Sequence, residues 1–276
     1  MFSKIGLAIT FSPTSKALLK ETLRLQKLFN SQLVIIHIGK KNETSENKLF
    51  EIIESVGLQK QNYDLIWDEG DPAKKLIKNC KTAKVDLFIS GALEEEKLFK
   101  YFFGSVSRTI MHELTSTTLI LKSPSEAPRS FKKFYLSVDY STQSEKTIVS
   151  AYKFAIQEKA EEFVLIRDFH APVLSTSIID SGSINEIKIL KQQWITEEKE
   201  KMKLFIKELN LTQIEPKIVC LYGKKGFESG NYARENNADI FIVNSPTKKD
   251  RLIDRLFLHT AEFAFEKLPS NLLIFR

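Results

Sequence analysis

The sequence repeats itself, and an internal repeat restricts the choice of fold before any single motif is considered. Lys4 to Ser15 reads K-I-G-L-A-I-T-F-S-P-T-S, and Lys133 to Ser144 reads K-F-Y-L-S-V-D-Y-S-T-Q-S. Each is an apolar strand that breaks into a serine-bearing helix start. Further on, Gly70 to Gly91 closes on V-D-L-F-I-S-G and Gly223 to Asn244 on A-D-I-F-I-V-N, with Gly70 as far from Asp86 as Gly223 is from Asp239. T-T-L-I-L-K at Thr117 to Lys122 is matched by N-L-L-I-F-R at Asn271 to Arg276. Two tandem copies of one unit follow, over residues 1–125 and 130–276. Between them, Lys122-Ser-Pro-Ser-Glu-Ala-Pro-Arg-Ser130 holds two prolines, three serines and no large apolar residue, so it reads as a linker with the boundary near residue 128.

Within the first copy, short runs rich in Ile, Val and Leu alternate with helical patterns. Ile5 to Ile9, Leu33 to Ile38, Tyr63 to Trp67, Leu87 to Ser90 and Thr118 to Leu121 make a set of five strands. Their lack of polar alternation suits a mainly parallel sheet covered on both faces. Asp71-Pro72 supplies a helix N-cap and a first-turn proline, after which Ala73, Leu76, Ile77 and Cys80 recur at helical spacing. The expected fold class is therefore α/β: two tandem, open, five-stranded, mainly parallel sheets with helices on both faces. Ligands of such sheets bind beyond the C-terminal strand ends.

Composition then removes several function classes. With 42% hydrophobic and 28% charged residues the chain is not disordered. No apolar run approaches the ~20 residues of a membrane span, and Met1-Phe2-Ser3-Lys4 leads into a run too short for a signal segment, so a cytoplasmic protein without a membrane partner is expected. The net charge is +6, but the lysines read as alternating with glutamates along the helical stretches, which argues against nucleic acid as a partner. Cys80 and Cys220 have no zinc-ligand spacing and read as buried thiols. His37 reads as a satisfied core imidazole, and His112 as a helix-surface residue. Asp168 and His170 follow the second strand of the second copy; a metal or base role there competes with a plain structural one, and two ligands do not make a metal site. Ser12, Ser15, Ser141 and Ser144 fit helix starts, with none in the Gly-x-Ser-x-Gly setting of an activated nucleophile. No catalytic residue and no metal ligand is assigned.

The order of elements, together with I-G-L-A-I-T-F-S at Ile5 to Ser12, the G-D-P helix start at Gly70, D-L-F-I-S-G at Asp86 to Gly91 and F-G-S-V-S at Phe103 to Ser107, resembles the universal stress protein family, here as a tandem member with an adenine nucleotide alpha hydrolase-like fold. In members that bind ATP, the resemblance implies a G-x-x-G-x9-G-[ST] signature after the fourth strand and an acid at the end of the first. Carried onto this chain, the signature falls on Gly91, on Glu94 in place of the second glycine, and on Gly104-Ser105; the acid is replaced by Thr10. Glycines there let backbone N–H groups approach phosphate oxygens, and a helix opening at Gly104-Ser105 favours an anion. The implied nucleotide residues are Thr10, Gly91, Gly104, Ser105, Val106 and Ser107. The second copy keeps the acid as Asp139, but has Asn244, Thr247 and Leu258-His259 at the signature positions. There Asp139 reads as the cap of the helix that begins near Ser141.

Three readings follow from the resemblance. The first is a non-enzymatic stress-response scaffold or regulator with degenerate nucleotide sites and no cofactor. The second is an ATP- or AMP-binding member using the first copy, with slow ATP hydrolysis as its extension. The third is a small-molecule sensor whose second-copy pocket is relined by Asp139, Asn244 and His259. The partners expected are the two domains themselves, through their last strands, with a homodimer and a protein client left open.

Overall fold

The computed structural model describes residues 1–95, 100–102, 109–111, 113–170, 184–224, 226–245 and 268–276, and the side chains of these spans apart from 93–95, 100–102 and 184–187. In chain order the first copy runs β1 (Lys4–Ala8), α1 (Ser15–Phe29), β2 (Gln32–Ile38), α2 (Glu43–Glu54), β3 (Asp64–Asp68), α3 (Pro72–Thr82), β4 (Leu87–Gly91), β5 (Leu93–Glu95), β6 (Lys100–Phe102) and β7 (Thr117–Leu121). The second runs β8 (Lys133–Ser137), α4 (Thr142–Glu158), β9 (Glu162–Phe169), α5 (Ile184–Lys207), β10 (Pro216–Tyr222), α6 (Phe227–Glu235), β11 (Ile240–Asn244) and β12 (Asn271–Phe275). The five strands expected of the first copy are present with ends within one residue of those read from the sequence. The chain is mixed α/β with a mostly parallel arrangement of strands.

Tertiary contacts divide the chain into one unit of Met1–Ser130 with Phe265–Arg276 and another of Phe131–Ala264. In the first unit the strand order is β12-β7-β4-β1-β2-β3, with all pairs parallel except β12 on β7. In the second it is β11-β8-β9-β10, all parallel. The first four strands of each copy thus take the same order.

The apolar runs explain this. Ile5, Leu7, Ile35 and Ile36 are wholly buried, as a strand covered on both faces requires. On one side Leu76 and Cys80 of α3 pack with Val34, Ile36, Val85 and Phe88. Gly6 lies under Val85, and a Cβ at Gly6 would come within 2.8 Å of Val85 Cγ2. In the second unit the corresponding core is aromatic: Phe134 and Phe154 meet edge to face at 5.2 Å, and Tyr152 and Phe163 at 5.1 Å.

The repeated aspartates are staples at the N-terminal ends of the strands, opposite the ligand end. Asp86 Oδ2 accepts from Ser3 N at 2.8 Å and Oδ1 from Lys4 N at 3.0 Å. Asp239 Oδ2 accepts from Lys132 N at 2.6 Å and Lys133 N at 2.9 Å. Each ties the start of the fourth strand to the start of the first.

Two features depart from expectation. The reading of lysines alternating with glutamates fails at α3, whose Lys74, Lys75, Lys78 and Lys81 have no acid among them. After β4 the chain forms a small antiparallel ribbon, β5 on β6, with Glu94 opposite Tyr101.

Candidate functional site

In an open α/β sheet the ligand end is where β1 and β4 stop. In the first unit β1 runs into Ile9, whose N–H donates to Ile36 O at 3.0 Å, and then into exposed Thr10. Ser15, buried at the first position of α1, donates its hydroxyl to the Thr10 carbonyl at 2.6 Å and lies 2.9 Å from Ser12 Oγ. Ser12 Oγ also lies 3.2 Å from Thr14 Oγ1. The β1–α1 turn therefore closes on its own hydroxyls. Its N-cap, Thr14, makes no side-chain cap bond.

Beside this turn stands an aromatic stack that the sequence reading did not assemble. Phe11, 41% exposed, packs on His37 at 4.6 Å, and His37 packs on Trp67 at 4.5 Å. His37 Nδ1 is 3.0 Å from the Ile9 carbonyl, and because a carbonyl only accepts, Nδ1 carries the hydrogen. His37 is thus a satisfied buried imidazole, as expected. Trp67 Nε1 donates to Gly39 O at 2.8 Å, and Lys41 Nζ lies 5.9 Å from the Trp67 ring. The sequence signal was an aromatic ring next to the last residue of β2 and of β3, at His37 and Trp67, and another in the turn after β1, at Phe11.

At the end of β4, Gly91 has an ordinary backbone, and among the described residues a Cβ there would touch only Leu18 Cδ2 at 3.6 Å. None of the described residues requires glycine there. The next residues leave the sheet, with Ala92 N donating to Leu121 O at 2.9 Å, and enter the ribbon in which Glu94 pairs with Tyr101. A ladder takes up part of the backbone N–H supply that a phosphate loop keeps free. Gly104, Ser105, Val106 and Ser107 lie outside the described residues, as do His112, Thr247, Leu258 and His259.

In the second unit Asp139 Oδ1 accepts from Ser141 N at 2.9 Å and from Ser141 Oγ at 2.5 Å. Ser141 is itself the N-cap of α4, accepting from Ser144 N at 3.1 Å. Asp139 therefore supports the helix start, with Ser141 rather than Asp139 as the cap. Asn244, ending β11, has a buried Oδ1 that finds no partner among the described residues.

Asp168 serves a structural end as well. Its Oδ2 accepts from Gly226 N at 2.6 Å and Ser229 N at 3.1 Å, which caps α6. In the first copy Asp71 caps α3 locally, accepting from Lys74 N at 2.9 Å. Gly226 at the N-cap of α6 has no side chain to offer, so an acid from a neighbouring strand supplies the bond. His170 is exposed and packs 5.6 Å from Tyr222, which also stacks with Trp194 at 6.0 Å and lies 5.2 Å below Lys191 Nζ. No group of three or more His, Cys, Asp or Glu able to hold a metal occurs among the described residues. Burial pushes the Cys80 thiol to about 12 and the Cys220 thiol to about 11, so neither forms a thiolate nucleophile at neutral pH. No described helix is long and apolar enough to cross a membrane.

The comparisons agree with this arrangement. No curated protein matches the sequence. Among solved structures, a functionally unknown protein of Pseudomonas aeruginosa PAO1 superposes with a TM-score of 0.73 at 16% identity, over 99% of this chain and 92% of that one. A putative universal stress protein of P. aeruginosa UCBPP-PA14 gives 0.72 at 16% identity, over 99% and 93%. A universal stress protein of Archaeoglobus fulgidus DSM 4304 gives 0.63 at 16% identity, over 99% and 98%. At such identity the likeness establishes the fold. The sequence itself matches the universal stress protein family model over residues 1–122. The first copy, residues 1–122, is thus the part of the chain that is similar to the universal stress protein family.

Proposed function

We propose that this is a stress-response protein of the universal stress type that acts without catalysis, as a scaffold or regulator, and that its two nucleotide sites are degenerate. The supporting observation lies at the end of the first strand of each copy. Where a nucleotide-binding member presents an acid to its ligand, the first copy has Thr10, whose carbonyl is taken by Ser15, and the second has Asp139, with Oδ1 engaged by Ser141. Each charge-assisted contact removed weakens binding by roughly 1.5–3 kcal/mol. The first site has two such losses, the acid at Thr10 and the glycine at Glu94, which lower its affinity by about a hundredfold or more. Titration calorimetry of the whole chain with ATP and Mg²⁺ is expected to give no low-micromolar binding. A low-micromolar Kd overturns the reading.

One observation favours the second reading, a weak ATP or AMP site in the first copy: Gly91 is a glycine that the described residues around it do not demand. The site would use Thr10, Gly91, Gly104, Ser105, Val106 and Ser107. Under this reading Gly104→Val abolishes residual nucleotide or phosphate binding while the circular dichroism spectrum is kept. A variant that binds as well as the parent removes the site from the first copy. A mass spectrum of small molecules released from the purified protein distinguishes the readings directly, because a scaffold with decayed sites releases no nucleotide.

A further inference from the structure

One helix of the first unit presents charge of a single sign to solvent. α3 carries Lys74, Lys75, Lys78 and Lys81, Lys84 follows just after its end, and no acid lies between Pro72 and Lys84. Lys75 is taken by Asp68 at 2.7 Å. Lys74, Lys78, Lys81 and Lys84 are exposed, and none of their ammonium groups forms a hydrogen bond or ion pair with a described residue. At 3.6 residues per turn, Lys74, Lys78 and Lys81 fall within about 60° of arc and about 10 Å of helix axis. That stripe faces away from Ala73, Leu76 and Cys80, the buried side of the helix.

The second copy shows that the fold does not call for this charge. Its equivalent helix is α6, aligned by the backbone bond that follows each helix, Val85 N to Cys80 O at 2.9 Å and Ala238 N to Ala233 O at 2.9 Å. Lys74, Lys75, Lys78, Lys81 and Lys84 then correspond to Phe227, Glu228, Asn231, Arg234 and Asn237, so the same element forms with a single cation in these places. In α3 the lysines work against the helix. Lys74 lies in the first turn, where the helix dipole disfavours a cation, and Lys74 with Lys78 and Lys78 with Lys81 are like-charge pairs at i,i+4 and i,i+3. Neighbouring acids do not offset them. Asp68 holds Lys75, Asp71 caps the helix through Lys74 N, and Asp86 is bound to the amides of Ser3 and Lys4. Glu113 is exposed on the segment whose Ile110 and Leu114 share a core with α3, and it pairs with no lysine of the stripe.

We propose that the Lys74–Lys78–Lys81 face of α3, continued by Lys84, is a docking surface for an acidic segment of a partner protein. Charge complementarity carries the choice of occupant: carboxylates brought to this row offset both the repulsion between its lysines and the misplaced cation in the first turn. Nucleic acid suits the face less well, because α3 exposes no aromatic ring for a base to stack on and no arginine fork for a phosphate. A lipid surface suits it less well too, since Leu76 and Cys80 are committed to the core and α3 exposes no large apolar side chain to enter a bilayer. A second copy of the chain brings its own net charge of +6 against the same face. The docking surface is independent of whether either copy binds a nucleotide.

The test is a fluorescence-anisotropy titration of labelled poly-L-glutamate with the full-length protein at low salt. Binding is expected and is to weaken as salt rises. Lys74→Gln, Lys78→Gln and Lys81→Gln together are expected to weaken it by about tenfold or more. Changing Lys146, Lys153 and Lys207, exposed lysines of the second unit, to Gln gives the same net charge and is expected to leave binding near that of the parent. Equal losses in the two variants mean that only net charge is read, and the proposal fails. It also fails if oligothymidylate or phosphatidylserine vesicles of matched charge bind more tightly than poly-L-glutamate, or if the parent forms a dimer that the α3 variant abolishes. At low salt the α3 variant is expected to melt at a higher temperature than the parent, because the repulsion along the helix is gone. A lower melting temperature shows that the lysines serve the fold and overturns the proposal.

Discussion

Asp68, at the end of β3, shows how little of a residue's role its type announces. Its Oδ1 accepts from Lys75 Nζ at 2.7 Å and its Oδ2 from Asn79 at 3.2 Å, and these bonds hold its carboxyl down to about 2. A depressed acid contributes stability above its ordinary value of 3.8 that is lost as pH falls through about 2. Asp68→Asn is expected to flatten the acid limb of the stability curve over that window, and thermal unfolding as a function of pH checks it; an unchanged acid limb counts against the link. Glycines divide in the same way. Gly6 has Val85 Cγ2 2.8 Å from where a Cβ would stand, and a short branched valine cannot swing aside, so Gly6→Ala is expected to destabilise by about 1–3 kcal/mol. At Gly91 the only neighbour among the described residues is Leu18 at ordinary contact distance, and Gly91→Ala is expected to stay within about 0.5 kcal/mol of the parent. Denaturant melts of the pair read both values, and a costly Gly91→Ala would mean that the glycine serves the fold.

At the scale of elements, legibility followed burial. The strands of the first copy were readable to within a residue because a strand covered on both faces is apolar at every position, as L-V-I-I in β2 and L-F-I in β4 are. The ribbon of L-E-E and K-Y-F was not, since three residues give no period to count. Helix starts were readable where the cap is local. Asp71-Pro72 announced α3, and Asp71→Ala is expected to cost about 1 kcal/mol in an equilibrium melt, with no loss at all refuting the cap. The cap of α6 could not be read, because its acid lies 58 residues before the amide at Gly226 and 61 before that at Ser229. The candidate site divides along the same line. The replacement of an acid by Thr10 is visible in the letters, whereas the closure of the β1–α1 turn by Ser15 depends on a hydroxyl folding back five residues onto a carbonyl.

At the scale of the whole chain, the last strand decides how the first unit ends. β7 is buried at all five positions, and an unpaired apolar edge of that kind is a template for another chain. β12 occupies the edge, pairing Leu272 with Ile120, Leu273 with Leu119 and Ile274 with Thr118. The ends of the strand are fastened by side chains: Lys122 N donates to Asn271 Oδ1 at 2.9 Å, Lys122 Nζ to Leu268 O at 2.9 Å, and Arg276 to the Met111 carbonyl. Phe275 stacks on Phe2 at 6.2 Å, and Phe2 meets Phe29 at 5.1 Å, so the C-terminal strand also seals the start of the chain. The sequence pointed to this through the repeat, in which T-T-L-I-L and N-L-L-I-F occupy equivalent places, and through the family resemblance, which implied pairing of the last strands. Two measurements follow. In hydrogen exchange, the bonded amides of 118–120 and 272–274 are expected among the slowest of the first unit, and fast exchange throughout both segments would show that the pairing does not persist. Ending the chain at Ser270 uncovers β7, so the shortened protein is expected to elute as larger species than the parent in size-exclusion chromatography. A truncated chain that keeps the parent's oligomeric state, with residues 117–121 still protected, would show that β12 is dispensable to that edge.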